Sequence, residues 1–191
     1  SSVDSGNFIV CVMITMEFLR KRNFQKGYEL AKKIIEDTNL DKLYDHRKGL
    51  FYIGYNKQSN EYSGHYDILA SEARLLSLIY IANSKKAEHW RNLQRDYTPF
   101  MGNTLLSWSG TMFEYLMADL FIQSPRFSLL YESSYRASLI QAANSVKGVW
   151  GVSESGYYDF DDELRYQYYA FGLSKLSLRS EFDKYVFSPY S

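Results

Sequence analysis

The sequence predicts a mostly helical, globular fold. Apolar side chains recur three to four residues apart over several long stretches, which is the spacing of a helix face. Hydrophobic residues make up 46% of the 191 residues, which is enough for a sizeable core. A chain of this length normally forms one domain. We therefore expect an all-α fold in which residues 1–191 form a single domain.

Helical segments and short loops alternate along the chain. Helices are predicted over residues 4–22, 23–37, 67–82, 87–94, 110–122, 127–146 and 162–172. Asp4 or Ser5 is expected to cap the first helix, and Pro125 limits the helix over 110–122 because proline cannot continue a helix. Helical periodicity is lost between residues 39 and 64. The aromatic run at residues 50–55 is typical of a strand or an extended loop.

Charge and cysteine content exclude several functional classes. The 22 basic and 22 acidic side chains cancel, which argues against a nucleic-acid binder because such proteins carry a basic field. Cys11, the single cysteine, suits a reducing compartment. No stretch approaches the roughly 20 apolar residues that span a bilayer, and residues 1–4 lack a signal-peptide pattern. We therefore predict a cytoplasmic segment without membrane contact of its own, either free or within a membrane-associated larger protein.

Aromatic side chains are unusually frequent. The chain has 18 Tyr, 12 Phe and 3 Trp, which is 17% of its residues. Aromatic rings stack on the C–H faces of sugar rings, and tyrosine adds a hydroxyl group, but the same rings also bury large areas in ordinary cores. Trp90, Trp108 and Trp150 each border a turn or a helix start, where a sugar platform and core packing both fit.

Three glutamates occupy positions that favour acid–base chemistry. Glu72 and Glu114 fall on apolar faces of predicted helices, and Glu154 lies in a predicted loop among small residues. Burial raises the pKa of a carboxyl group toward the range that a general acid needs, and cleavage of a glycosidic bond requires two such groups. The alternative for Glu72 and Glu114 is a structural salt bridge. The arginines considered as partners are Arg74, Arg136 and Arg165.

The remaining motifs indicate neither a metal nor a cofactor. The acidic run at residues 159–163 resembles half of a calcium loop but lacks the glycine and the twelfth-position glutamate. His46, His65 and His89 are isolated, without the pairing of zinc sites. The sequence has no glycine-rich phosphate loop and no G-x-S-x-G motif. Asp4 is either a helix cap or a sugar ligand.

Four segments occur in an order and spacing that resemble a known family. They are residues 3–7 (VDSGN), 63–75 (SGHYDILASEARL), 107–117 (SWSGTMFEYLM) and 150–172 (WGVSESGYYDFDDELRYQYYAFG). These segments resemble the glycoamylase-like domain that occurs alone in bacteria and as the central part of cyclic β-1,2-glucan synthases. The resemblance spans nearly the whole chain. In the synthases the domain is associated with the transglycosylation that closes the glucan ring, and the lone domains are regarded as glucan hydrolases.

The resemblance implies an (α/α)6 toroid of helical hairpins with the site at one mouth. It implies that Glu72 and Glu154 face that mouth, with Glu154 as the proton donor, and that Glu114 is a supporting or alternative acid. The side chains implied to line sugar subsites are Asp4, Asn7, Tyr66, Asp67, Trp108, Trp150, Tyr157, Tyr158 and Gln167.

Two departures from the family pattern affect its loops. His65 replaces a usual tyrosine, and residues 173–177 replace a turn that contains proline and glycine. The chain also ends where the family continues with further helices, so we expect a fragment, truncated at both ends, with about half to two-thirds of the toroid. An open half-ring exposes apolar helix faces, which predicts self-association or packing against the missing part of the domain.

Three functions are compatible with these observations. The first is a glycoside hydrolase or transglycosylase that uses paired carboxylates on a β-glucan, with β-1,2 linkages expected. The second is a non-catalytic glucan-binding fragment, and the third is a helical scaffold or interaction domain. A cleft lined by Trp108, Trp150 and the carboxylates would argue against the third.

Overall fold

A computed structural model describes residues 1–144, 148–179 and 186–188, without the side chains of residues 157–159. The fold is mixed α/β, because 45% of the described chain is helical and 18% lies in strands that form four small antiparallel sheets. The prediction of an all-α fold, and with it the (α/α)6 toroid, is therefore wrong. Most of the strands are only two or three residues long, which is too short for the two-residue alternation that identifies a strand in a sequence.

The chain forms two compact units, of which unit 1 comprises residues 1–67 and 73–93. Its helices are α1 (Ser2–Lys21), α2 (Gln25–Asp37), α3 (Arg74–Ser84) and α4 (Glu88–Asn92). Its strands are β1 (Tyr44–Asp45), β2 (Leu50–Tyr52), β3 (Tyr55–Asn56), β4 (Glu61–Tyr62) and β5 (His65–Tyr66). β2 pairs with β1 on one side and with β5 on the other, β3 pairs with β4, and all three pairs are antiparallel.

The N-terminal helix α1 packs against both α2 and α3. Its cap is Ser1, whose side chain accepts a hydrogen bond from the backbone N–H of Asp4, so the predicted caps Asp4 and Ser5 are wrong. Gly6 permits the close packing of α1 on α3, because a Cβ atom there would lie 2.7 Å from the Cβ atom of Leu76. The helix therefore depends on a residue without a side chain at this contact.

Aromatic rings form the core of unit 1. Tyr44 of β1 and Phe51 of β2 pair across the sheet and pack with Leu76 and Tyr80 of α3. The Tyr44 ring lies 5.0 Å from the Phe51 ring and 4.5 Å from the Tyr80 ring, within the range of favourable aromatic pairs. Part of the aromatic content of the sequence is thus explained by packing rather than by ligand binding.

Unit 2 comprises residues 68–72 and 94–191. Its described helices are α5 (Met112–Leu116) and α6 (Leu129–Ala143), and its described strands are β6 (Tyr97–Thr98), β7 (Thr104–Leu105), β8 (Glu154–Phe160) and β9 (Tyr166–Ala170). β6 pairs with β7 and β8 pairs with β9, in both cases antiparallel. Residue Ile68 forms a parallel bridge with Gln94, which connects the two chain segments of the unit.

Tyr115 of α5 anchors the core of unit 2. The tyrosine is 2% exposed, and its hydroxyl group lies 2.6 Å from the carbonyl oxygen of Leu105 and 3.1 Å from that of Leu176. Met112 and Ile140 are buried to the same extent. The hydroxyl group thereby connects α5 to β7 and to the 3₁₀ turn Ser174–Leu176, which lies far along the chain.

Four predicted helices are present with their ends shifted by a few residues. They are those predicted over 4–22, 23–37, 87–94 and 127–146, which correspond to α1, α2, α4 and α6. The predicted end of the fourth, at residue 146, lies outside the described residues. The helix predicted over 110–122 is shorter, because α5 gives way to a 3₁₀ turn at Met117–Leu120.

Two further predicted helices differ from the structure in ways that affect the candidate site. The helix predicted over 67–82 begins only at Arg74, so Glu72 precedes α3 instead of lying on its apolar face. Residues 166–170 form β9 instead of a helix, because a run of tyrosines favours a strand when a partner strand is present. The partner β8 begins at Glu154, which is therefore a strand residue rather than a loop residue.

Helix α1 is long and apolar enough, by length and composition, to cross a membrane. It has 20 residues and lies near the N-terminus. Its most apolar stretch of 18 residues has a mean hydropathy of 1.3, and 28% of that stretch is buried. The prediction that no stretch approaches this length is wrong by that measure. The cytoplasmic location stays a prediction.

Candidate functional site

The loop at residues 107–111 of unit 2 is the foundation of the candidate site. Ser107 forms a parallel bridge with Ser177, in which its N–H donates to the Leu176 carbonyl oxygen at 3.0 Å. The Ser177 hydroxyl donates to the backbone carbonyl oxygen of Trp108 at 2.7 Å. These bonds hold the loop against the segment that follows β9.

Gly110 has a backbone conformation that favours glycine. Its φ angle is +69°, in the left-handed region, and a Cβ atom would overlap the carbonyl oxygen of Leu173. The Gly110 carbonyl oxygen accepts the N–H of Leu173 at 3.1 Å. Glycine at this position therefore allows the loop and the segment after β9 to approach closely enough for the site to form.

Glu114 closes a capping box at the start of α5. The Thr111 hydroxyl accepts the Glu114 N–H, and the Glu114 carboxylate accepts the Thr111 N–H at 2.9 Å. The carboxylate also accepts the Ser107 hydroxyl at 2.9 Å and the Ser109 N–H at 3.1 Å. Glu114 is 4% exposed, and this burial raises its pKa, an effect that the hydrogen bonds from Thr111, Ser107 and Ser109 partly offset.

These contacts bear on the salt-bridge interpretation of Glu114. The structure gives it hydroxyl and backbone amide donors, whereas Arg136 pairs with Glu132 at 3.2 Å and Arg165 pairs with Glu163. The structural salt bridge considered for Glu114 with these arginines is therefore not formed. Its buried contacts within α5 and the loop give it a clear structural role.

Glu154 is positioned by the residues just before it. The Gln141 side chain of α6 accepts the Val152 N–H at 3.0 Å and donates to the Val152 carbonyl oxygen at 2.8 Å. The Ser153 hydroxyl accepts the N–H of Phe113 at 3.1 Å. These bonds fix the chain between α5 and α6, and the side chain of Glu154 follows at the first position of β8.

Hydroxyl groups contact both oxygens of the Glu154 carboxyl group. The Thr111 hydroxyl lies 3.3 Å from Oε1, and the Tyr168 hydroxyl contacts Oε2. The carboxyl group is half-buried, so it can meet both a ligand and the protein. Because the Thr111 hydroxyl also lies 2.9 Å from Glu114, one hydroxyl group stands between the two carboxyl groups.

The other predicted residues of unit 2 occupy varied environments. Glu72 is half-buried at the end of the segment 68–72, which is tied by the Leu69 N–H to the Gln94 carbonyl oxygen at 3.0 Å. Trp108 is half-buried in the loop at the foundation of the site, and Trp150 is exposed ahead of β8.

Gln167 is engaged within its own turn, because its amide donates to Asp161 at 2.9 Å. The side chains of Tyr157 and Tyr158, although their backbones belong to β8, lie outside the described residues.

Four predicted sugar ligands belong to unit 1, whereas the three glutamates belong to unit 2. Asp4 is exposed and bonds with the Ser1 hydroxyl at 2.6 Å. Asn7 is half-buried, and its Oδ1 atom is buried without a hydrogen-bond partner in the described part of the chain. Tyr66 is buried in β5, and Asp67 follows it half-buried.

Thr111 and Tyr168, which contact Glu154, were not predicted as site residues from the sequence. Thr111 was detectable, because a threonine three residues before a glutamate is the capping-box pattern. Tyr168 was not detectable, since its segment was predicted as a helix and its contact depends on the pairing of β8 with β9. Across the described residues, no group of three or more His, Cys, Asp or Glu side chains could hold a metal ion.

Comparison with known proteins finds that the chain is similar to part of a cyclic β-(1,2)-glucan synthase. The relative is the cyclic β-(1,2)-glucan synthase NdvB of Rhizobium meliloti (strain 1021), with 36% identity over 169 residues. The match covers 85% of this chain but 6% of that protein, so the chain corresponds to a small part of its relative's length. No protein-family model matches the chain.

Proposed function

We propose that the chain supplies carboxyl groups for glycoside hydrolysis or transglycosylation of a β-glucan, with β-1,2 linkages as the substrate class. The observation that carries the proposal is the half-buried Glu154, whose two oxygens contact the hydroxyl groups of Thr111 and Tyr168. The similarity to a β-(1,2)-glucan synthase supports the choice of substrate.

Glu154 is proposed to donate the proton to the glycosidic oxygen, and Glu72 to act as the base or partner, directly or through a water or sugar hydroxyl. A hydroxyl group can donate to an ionised carboxylate and accept from a protonated one. Thr111 and Tyr168 can therefore hold Glu154 in both states that a proton donor passes through. Glu114 is proposed as a supporting group, because it is engaged by the capping box.

The test replaces the carboxyl group of each proposed glutamate with an amide, in the natural full-length protein. Glu154→Gln and Glu72→Gln are expected to lower turnover of β-1,2-glucan by about 100-fold or more, since acid–base groups contribute at least this much. Glu132→Gln on α6 is the matched control and is expected to retain turnover. The measurement is release or transfer of glucan products, and undiminished turnover in both variants would remove the proposal.

A substrate with a good leaving group separates the two roles. Such a substrate needs no proton at the leaving oxygen, so it is expected to restore turnover in Glu154→Gln but not in Glu72→Gln. Restoration in Glu72→Gln alone would reverse the assignment of the two glutamates. Product stereochemistry then reports whether the pair inverts or retains the anomeric centre.

A glucan-binding function without turnover is a second candidate, favoured by the exposed rings near Glu154. Trp150 and Tyr168 are each about half exposed, and rings of this kind stack on sugars. Binding of β-1,2-glucan that weakens in Trp150→Ala, together with no turnover by the wild-type protein, would favour this candidate. Turnover by the wild-type protein would exclude it.

A further inference from the structure

We infer that Tyr168 and Thr111 are positioning residues for Glu154, and that the Thr111 hydroxyl couples Glu154 to the buried Glu114. The inference rests on the proposed function, in which Glu154 is the proton donor. It adds two residues to the site and gives Glu114 an indirect role in the reaction. Neither residue is expected to contact the glycosidic bond.

Tyr168 reaches Glu154 through the pairing of β8 with β9. Glu154 lies opposite Ala170, and Gly156 lies opposite Tyr168, so the tyrosine is two residues along β9 on the same face as Glu154. Side chains in this diagonal relation are within reach of one another when one of them is long. Gly156 carries no side chain, and the Tyr166 ring occupies the place where a Cβ atom of residue 156 would lie.

Thr111 stands between two carboxyl groups and has one hydroxyl proton. Its oxygen lies 2.9 Å from Glu114 Oε2 and 3.3 Å from Glu154 Oε1, and it accepts the Glu114 N–H at 3.3 Å. A single proton can serve only one carboxylate at a time. Glu114 has the Ser107 hydroxyl and two backbone amides as further donors, so it keeps partners when the Thr111 proton turns away.

The Thr111 hydroxyl can therefore follow the protonation state of Glu154. When Glu154 is ionised, the hydroxyl donates to it and Glu114 relies on its other donors. When Glu154 is protonated, the threonine oxygen can accept that proton's hydrogen bond and donate its own proton to Glu114. The hydroxyl only rotates, so no proton moves between residues and the charge of the site balances. The titratable groups that face Glu154 in these contacts are Glu114 from α5 and Tyr168 from β9.

The test compares variants of the natural full-length protein that either remove or keep each hydroxyl group. Tyr168→Phe and Thr111→Val are expected to lower kcat about 10-fold or more, with a smaller change in KM, because each removes a hydrogen bond to a charged group. Thr111→Ser keeps the hydroxyl and is expected to restore kcat. Tyr135→Phe removes an exposed hydroxyl from α6 and is the control.

A measurement without substrate separates this inference from the proposed function. The ¹³C chemical shift of the Glu154 carboxyl group, measured by NMR at one fixed pH, is expected to change in Tyr168→Phe and to stay unchanged in Tyr135→Phe, because only the first variant removes a hydrogen bond to that carboxyl group. Tyr168→Phe changes an exposed side chain and is expected to fold even where Thr111→Val, which loses a helix cap, does not. An unchanged chemical shift and unchanged kcat in Tyr168→Phe would overturn the inference, while a loss of turnover in Glu154→Gln would leave the proposed function intact. If the wild-type protein turns over no glucan, the proposed function fails, and the chemical shift alone decides whether the hydroxyl groups position Glu154.

Discussion

At the scale of single residues, Glu114 and His89 show how burial and hydrogen bonding act together. Glu114 accepts hydrogen bonds from hydroxyl and amide groups, yet burial still raises its pKa above the ordinary value of 4.5. His89 is 1% exposed in the core of unit 1, and burial lowers its pKa below 6.5. Both shifts favour the neutral form, because a charge loses hydration when it is buried.

Because of Glu114, the free energy of unfolding is expected to fall as pH rises. Because its pKa is raised in the folded state, the folded chain binds more protons than the unfolded chain above about pH 4.5, and stability is lost as pH rises through that range. Residue 114 does not titrate in Glu114→Gln. The difference in unfolding free energy, wild type minus variant, is expected to fall as pH rises from 4 to 7 in denaturant titrations. Parallel curves of unfolding free energy against pH for the two proteins would contradict the raised pKa of Glu114.

The contacts of His89 fix its tautomer. Nδ1 lies 2.9 Å from the Gly49 carbonyl oxygen, which can only accept, so Nδ1 carries the proton. Nε2 lies 2.9 Å from the Ser77 hydroxyl and, in the neutral ring, accepts from it. Since the lowered pKa favours the neutral ring, stability that depends on His89 is expected to be lost as pH falls below about 6.5.

Ser77→Ala is expected to destabilise the chain by about 1–3 kcal/mol, because it leaves a buried ring nitrogen without its donor. Ser138→Ala on α6 is the control, since that hydroxyl donates to the carbonyl oxygen of Ser134 within its own helix. Its expected cost is below about 0.5 kcal/mol. Urea unfolding at pH 7.5 measures both, and equal costs would show that the His89 contact adds no stability.

At the scale of elements, the site depends on how short elements are joined. α5 has five residues, too few to be stable alone, so its capping box and its contact with α6 hold it in place. Val152 and Ser153 hold the start of β8 in place, because they form hydrogen bonds with residues of α6 and α5, respectively. The loop at residues 107–111 supplies the donors of Glu114, and Gly110 lets this loop approach the segment after β9.

Gly110→Ala is expected to lower the free energy of unfolding by about 2–5 kcal/mol. Alanine is strained in the left-handed backbone conformation, and its Cβ atom would displace the Leu173 carbonyl group. Gly148 offers a matched control, because its φ angle is +78° but a Cβ atom there would meet open space. Gly148→Ala is expected to cost only the conformational part, about 1–2 kcal/mol. Thermal and urea unfolding measure both variants, and similar losses would show that the close approach at Gly110 is unimportant.

At the scale of the whole molecule, the exposed apolar side chains of α1 are the most consequential surface feature. Phe8, Ile14 and Phe18 are each more than half exposed, on a helix of high hydropathy. Exposed apolar side chains of this size favour association when they lie close together on a surface. The proposal of self-association, or of packing against a further part of the protein, therefore has a defined surface on which it can be tested.

The double variant Phe8→Ser with Phe18→Ser is expected to shift the chain toward monomer, because it removes apolar area from the associating surface. Leu164→Ser is the control, since Leu164 is exposed in the turn before β9, away from α1 in the sequence. Sedimentation velocity over a range of concentrations measures the change. An unchanged distribution in the double variant, or an equal shift in the control, would exclude α1 as the associating surface.

Prediction from the sequence succeeded best where a long segment carries its own periodic signal. α1 and α2 were found nearly end to end, and the aromatic run at residues 50–55, predicted as a strand or an extended loop, contains β2 at Leu50–Tyr52. The helix predicted over 162–172 failed, because the strand character of β9 is realised through pairing with β8. The three glutamates were selected from the sequence. For two of them the predicted local structure was wrong, because Glu72 precedes α3 and Glu154 lies in β8.

The sequence by itself determined the long helices, the balanced charge, the aromatic content and the capping-box pattern that surrounds Glu114. These properties are local, since each depends on residues a few positions apart. Only the tertiary structure decided that short strands pair into four sheets and that Tyr168 meets Glu154. It also decided that one threonine hydroxyl lies between two carboxyl groups. Hydrogen bonds between distant segments make these arrangements, and no local pattern in a single sequence records which distant partners meet.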